Sequence, residues 1–191
     1  MIISRRRAAQ FTPEKYLELE RSSKFKHEYI QGHVLAIASA TRAHEVITDN
    51  LTALFVNHLR GTGCISHSGG MKVYMPELGV FYYPDQSVTC DETEGSGDQD
   101  FIVYPKLIIE VLSESSAAFD RGDKFADYQT IPSLEEYALI HQRQMVVERF
   151  SRDIEKDVWL PHIHRAKDQV RFKCIGFTCP IESLYENVNS L

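Results

Sequence analysis

The sequence has no apolar run approaching the roughly 20 residues that a membrane-crossing helix needs. It has no surplus of positive charge either. Lysine and arginine number 21 against 27 aspartates and glutamates, a formal net charge of −6. That balance argues mildly against a general nucleic-acid binder, which uses cations to neutralise phosphates. A metal-dependent nuclease, however, concentrates acids in its site, and the acidic stretch from Asp91 to Asp100 inflates the total. Cysteine is scarce. Cys64, Cys90, Cys174 and Cys179 form no C-x-x-C pair, and with His162 and His164 they match no standard zinc module. Apolar, strand-like surroundings at Cys64, Cys90 and Cys174 predict free thiols in a reducing compartment. Arg5, Arg6 and Arg7 near the start are not followed by the apolar core of a secretory signal. The expectation is a flexible tail over residues 1–10, a single domain over 11–191 and a cytoplasmic location.

What is present is enough for a core. The chain has 191 residues, 43% of them apolar, with nine tyrosines. Thr12-Pro13-Glu14 carries the signals of a helix start: a hydroxyl cap, proline at the first position and an acid near the positive end. His27 to Ile30 and His33 to Ala38 predict a hairpin about Gln31-Gly32. From about Thr41 to Arg60, Ile47, Leu51, Leu54, Phe55 and Leu59 fall at helical spacing, and Gly61 stops the run. Strands are expected at Cys64–Ser66, Lys72–Met75 and over Tyr82 to Cys90. Asp91 to Asp100 has the composition of a mobile loop. Lys106 to Leu112 is continuously apolar apart from its ends and Glu110, which predicts a strand buried on both faces. A helix around Arg121 to Thr130 follows, then strands at Leu134–Ile140 and Met145–Phe150. Val158–Leu160 and Val170–Phe172 would extend the sheet, and a short helix from Ile181 to Val188 would close the chain. The class is α/β in the mixed α+β sense: a central mixed sheet flanked by helices, with an N-terminal helix and hairpin.

Two carboxylates stand out in this pattern. Asp85 sits in Tyr83-Pro84-Asp85, and Glu110 sits within the apolar run Leu107 to Leu112. Burying an ionised carboxylate without a partner costs several kcal/mol or drives it to take a proton. A divalent cation between two strands would relieve that cost, and hydrolysis of phosphate esters is one use for such a cation. Lys124 follows on the next predicted helix, in Asp120-Arg121-Gly122-Asp123-Lys124-Phe125. Taken singly, Asp85 reads as a turn residue, Lys124 as a solvated helix lysine and Glu28 as an edge acid paired with Lys24 or Lys26. Tyr82, Tyr83 and Tyr128 read as packing residues.

The ordered set resembles the PD-(D/E)xK nuclease superfamily, with its restriction-endonuclease-like fold. Within it, the chain is similar to a large group of short bacterial restriction-endonuclease-like proteins of unknown function. The matching stretches span Phe11 to Val188: Lys26 to Gly32, His44 with Ile47 to Leu51, Tyr83-Pro84-Asp85, Ile109 to Ser113, Asp120 to Phe125 with Tyr128, and Glu136-Tyr137. The general motif places a lysine two residues after the glutamate, and here that position is Leu112. In the subgroup the lysine stands on the following helix, where Lys124 is the match. The resemblance implies a Mg²⁺-dependent endonuclease acting on DNA, with Mn²⁺ as a substitute. Asp85, Glu110 and the carbonyl of Val111 would hold the metal. Lys124 would stabilise the transition state, Glu28 would bind a second metal or orient a water, and His44 would contact substrate or a ligand. It also implies a homodimer. Two other classes stand beside this: a nuclease-fold protein that binds nucleic acid or a partner without cutting, and an interaction protein that self-associates through an edge strand such as Met145–Phe150.

Overall fold

The computed structural model describes residues 10–37, 39–94 and 99–189. The expected tail lies outside them apart from Gln10, as do residues 95–98 of the expected mobile loop. Among the described residues, no helix is long and apolar enough to cross a membrane.

The N-terminal signals act as their chemistry dictates. Thr12 accepts a hydrogen bond from the Lys15 amide at 3.3 Å and caps α1 (Pro13–Ser22), which buries Tyr16. Strands β1 (His27–Ile30) and β2 (His33–Ala36) form the hairpin, joined through Gln31 and Gly32 at φ 48° and 94°. Two positive φ values make a tight turn whose twist matches that of the strands. Thr41 caps α2 (Arg42–His58), which buries Ile47, Leu51 and Phe55 along one stripe.

The remaining strands are β3 (Ile65–Ser68), β4 (Lys72–Met75), β5 (Val80–Tyr82), β6 (Gln86–Thr89), β7 (Phe101–Ile102) and β8 (Pro105–Leu112). After them come α3 (Ala117–Arg121), α4 (Asp123–Tyr128), β9 (Glu136–His141), β10 (Val146–Asp153), β11 (Val158–Arg165), β12 (Gln169–Phe172) and β13 (Phe177–Pro180). They build a six-stranded sheet in the order β11-β10-β9-β8-β6-β3 and a five-stranded sheet in the order β2-β1-β5-β4-β7. Among the described strands, only β8 with β9 and β4 with β7 run parallel. The long α3–α4 crossover is what a parallel β8–β9 pair requires.

The six-stranded sheet has two differently covered faces. Ile109, Val111, Ala138 and Ile140 meet α2 and the β12–β13 hairpin in one core cluster. Ile108, Leu112, Tyr137 and Leu139 meet α4 and the five-stranded sheet in another. Strand β8 is thus buried on both sides, as its sequence predicts, and each of its fully buried Leu and Ile side chains is worth roughly 1.5–3 kcal/mol. Side chains alternate across a strand, so Glu110 faces the second cluster with Ile108 and Leu112.

Several expectations are corrected. The run from Tyr82 to Cys90 is not one strand. It breaks at Tyr83-Pro84-Asp85, and β5 and β6 belong to different sheets. Pro84 lacks the N–H that a continuous ladder needs. The helix expected around Arg121 to Thr130 is two short helices meeting at Gly122, where an added Cβ would stand 3.1 Å from the Ala118 carbonyl oxygen. Met145–Phe150 is not an edge, because β10 is paired on both sides by β9 and β11. Val170–Phe172 pairs with β13 in a separate two-stranded sheet, and the closing helix is a 3₁₀ turn over Ile181–Leu184. Cys64 and Cys90 are not free thiols. They flank the Ile65–Thr89 pair of β3 and β6, and a disulfide joins them, while Cys174 and Cys179 stay free.

Candidate active site

The break between the sheets creates the site. Antiparallel pairing sets Gln86 of β6 opposite Ile109 of β8, so the preceding residue, Asp85, arrives beside Glu110. The Asp85 amide donates to Glu110 Oε2 at 3.4 Å, and the Val111 amide donates to Asp85 Oδ2 at 2.6 Å. The first turn of α2 brings His44 Nε2 to within 2.9 Å of Asp85 Oδ1. Burial works against the charged imidazole. The hydrogen bond and charge of Asp85, with Glu45 and Asp120, outweigh burial and raise the His44 pKa.

Lys124 reaches the place that Leu112 cannot serve. From α4 its Nζ lies 2.9 Å from Glu110 Oε1, 3.2 Å from Glu28 Oε1 and 3.7 Å from Asp120 Oδ1. Glu28 comes from the hairpin strand β1 and pairs with Lys124 rather than with Lys24 or Lys26. Burial disfavours the Lys124 ammonium, but Glu110, Glu28 and Asp120 more than compensate and hold it charged. Glu110 experiences the reverse. Burial pushes its carboxyl well above the ordinary range, Asp85 and Asp120 add to the push, and Lys124 pulls against it. One ammonium and one imidazole therefore face four carboxylates, those of Glu28, Asp85, Glu110 and Asp120.

Exposure is graded across the cluster. Glu110, Asp120 and Lys124 are buried at 3%, 3% and 5%, whereas the side chains of Asp85 and His44 keep 21% and 16%. A ligand would approach from the Asp85–His44 side.

All five residues singled out from the sequence, Asp85, Glu110, Lys124, Glu28 and His44, meet in this one cluster. Three supporting groups lacked an assigned role. Asp120 stands one helical turn before Lys124, a spacing that marks an acid–lysine pair on a helix. Tyr128, expected as packing, donates its hydroxyl to Glu110 Oε1 at 3.2 Å. Tyr83, also expected as packing, donates its hydroxyl to Glu20 Oε2 at 2.8 Å and accepts from Lys72 at 3.2 Å, while its amide donates to Glu28 Oε1 at 3.4 Å. These bonds hold the strand break in place.

The donor set suits Mg²⁺ as Mg²⁺ ordinarily binds: one or two carboxylates, with waters and phosphate oxygens completing the shell. It does not make a closed cage. Among the described residues, no group of three or more His, Cys, Asp or Glu is disposed to hold a metal ion.

This architecture defines a restriction-endonuclease-like nuclease fold. A crystal structure described as a putative nuclease belonging to DUF820, from Anabaena variabilis ATCC 29413, superimposes with a TM-score of 0.75. The match covers 93% of this chain and 99% of that one at 13% identity, which establishes the shared fold alone. Residues 13–182 match the model of Uma2, described as a putative restriction endonuclease, and the chain belongs to that family. Two proteins of Synechocystis sp. (strain ATCC 27184 / PCC 6803 / Kazusa) are similar along most of their length. The uncharacterized protein slr1290 is 34% identical over 179 residues, 94% of this chain and 93% of that protein. The uncharacterized protein sll1609 is 32% identical over 162 residues, 84% of this chain and 92% of that protein.

Proposed function

We propose that the protein is a Mg²⁺-dependent endonuclease that hydrolyses phosphodiester bonds in DNA. The observation that carries this reading is the excess of acid in the cluster. Four carboxylates around one ammonium and one imidazole, in a partly dry site, call for further positive charge. The fold and the family support it.

In this reading Asp85 and Glu110 hold the ion, with the Val111 carbonyl as a further ligand. When bound, the ion would polarise a phosphate oxygen and lower the pKa of a water. The protein's own groups do the rest. His44 fixes the orientation of Asp85, and Tyr128 fixes that of Glu110. Glu28 and Asp120 keep Lys124 charged and aimed at the cluster, where its ammonium stabilises the negative charge that develops on the phosphate. Glu28 can also orient the attacking water.

The test is nicking of supercoiled plasmid in Mg²⁺ or Mn²⁺ by the wild type and by Asp85→Asn and Glu110→Gln. Loss of nicking in both variants is expected. Equal cleavage by all three proteins would mean that the cut does not come from this cluster.

A further inference from the structure

Beside the carboxylates, the C-terminal ends of the parallel strands β8 and β9 border an open surface groove of about 240 Å³. That leaves room for a phosphate with waters around it. The wall contains Arg121 of α3 and His141, Gln142 and Arg143 at the end of β9, with Glu114 on the opposite rim. The groove is tied to the site by a short chain of contacts. Gln142 Oε1 accepts from the hydroxyl of Thr41, the cap of α2, and that hydroxyl accepts from the amide of His44 at 3.2 Å. His44 in turn holds Asp85.

Three features point to an anionic strand as occupant. First, Gln142 is 6% exposed and its carbonyl end is fixed by Thr41, while its amide nitrogen donates to no protein group among the described residues. A donor is thus presented to the groove. Second, Arg121 is aligned by Glu148, with Nη2 at 2.6 Å and Nε at 3.2 Å from Oε1, which leaves Nη1 with a single long contact at 3.4 Å to the Ala117 carbonyl. Third, Arg143 is paired with Glu114 at 2.6 Å, but their side chains are 68% and 75% exposed. Such a pair is worth about 0–1 kcal/mol, so a phosphate can take the place of Glu114.

We propose that this groove seats the sugar–phosphate backbone of a DNA strand next to the bond presented to the carboxylate cluster. Arg143 is the phosphate contact, Gln142 and Arg121 are further donors, and Glu114 is the carboxylate that the phosphate displaces. The proposal rests on the nuclease reading for its choice of ligand, but it makes a separate claim about binding. Phosphate contacts of this kind set register and position without reading sequence.

The experiment is fluorescence anisotropy of a labelled DNA duplex in EDTA, across a salt series, with the full chain. Arg143→Gln should weaken binding several-fold and flatten the slope of log K against log salt by about 1. Glu114→Gln should tighten binding several-fold. A purely structural role for the Arg143–Glu114 pair would move both variants the same way. Arg60→Gln, beyond the far end of the 17-residue α2 and so about 25 Å from its cap, should change neither. Thermal melts establish that each variant is folded. Unchanged binding in both groove variants, or weakening in both, overturns the proposal, as does binding confined to an RNA of the same length. If the variants behave as expected but no divalent ion supports nicking, the groove stands and the cleavage reading falls. If the protein nicks DNA while both variants bind as the wild type, cleavage stands and the groove falls.

Discussion

Strands β8, β9 and β10 carry a buried charge cluster on each face, and the two clusters differ in their balance. On the α2 side, Glu136 and Arg149 are 2% and 4% exposed and form an ion pair, with the Cys174 amide donating to Glu136 Oε2 at 3.0 Å. One acid meets one base, and a backbone donor takes up the remaining oxygen. On the other side, Glu28, Asp85, Glu110 and Asp120 share Lys124 and His44. The balanced pair reads as structure, since its charges are spent on each other. The unbalanced cluster has more carboxylates than cations, and burial raises the pKa of Glu110 and Asp120, a cost that a bound cation would relieve.

The largest difference should appear when one partner of each cluster is removed. Arg149→Met leaves Glu136 buried and unpaired, and should cost about 3–5 kcal/mol in urea unfolding. Glu110→Gln removes a buried carboxyl whose charged form the other face disfavours. It should leave the unfolding midpoint unchanged or raised while lowering metal-dependent nicking by at least about 100-fold, some 2.7 kcal/mol in the barrier. Comparable destabilisation by both variants would erase the distinction between the clusters.

A smaller effect comes from a third arrangement, in which bases outnumber the acid. Glu148 lies between Arg121 and His141, each at 2.6 Å from Oε1. Burial raises its carboxyl, but hydrogen bonds from Arg121 and His141 outweigh burial and hold it below the usual carboxylate range. A carboxyl with a depressed folded pKa contributes stability that is present above its unfolded value, about 4.3, and is lost as pH falls through its folded value. Glu148→Gln should therefore lower stability at pH 7, by less than about 1 kcal/mol given its partial exposure, and flatten the acid limb of the stability profile. A variant equally destabilised at pH 7 and below pH 3 would show that packing, not charge, is what the residue supplies. The smallest effect belongs to the rim. Arg21–Asp100 is 2.8 Å long with side chains 65% and 43% exposed, so Asp100→Asn should shift stability by about 0.5 kcal/mol or less.

The unbalanced cluster was more legible in the sequence than the balanced one. An acid inside Leu107 to Leu112 is conspicuous because the run around it is apolar. Asp85, Lys124, Glu28 and His44 were linked to it by the ordered resemblance. Asp120 was readable from its four-residue spacing to Lys124. Tyr128 and Tyr83 were not, because aromatic residues in apolar company predict packing whether or not their hydroxyls find a carboxylate. The pairing of Glu136 with Arg149 depends on the register of β9 against β10, which no local pattern specifies. The same reason hid the Cys64–Cys90 disulfide: 26 residues separate the two cysteines, and only the β3–β6 register brings them together. Pro84 breaks the ladder at Tyr83-Pro84-Asp85, but the apolar residues on either side masked the change of sheet.

The reading of the unbalanced face as a divalent-cation site stands or falls on whether it binds a metal ion. Calorimetric titration with Mn²⁺ tests it most directly, using wild type, Asp85→Asn, Glu110→Gln and Arg149→Met below its melting point. Saturable binding to the wild type and to Arg149→Met is expected, with loss of that binding in Asp85→Asn and Glu110→Gln. Absence of binding to the wild type, or equal binding by all four proteins, would contradict that reading.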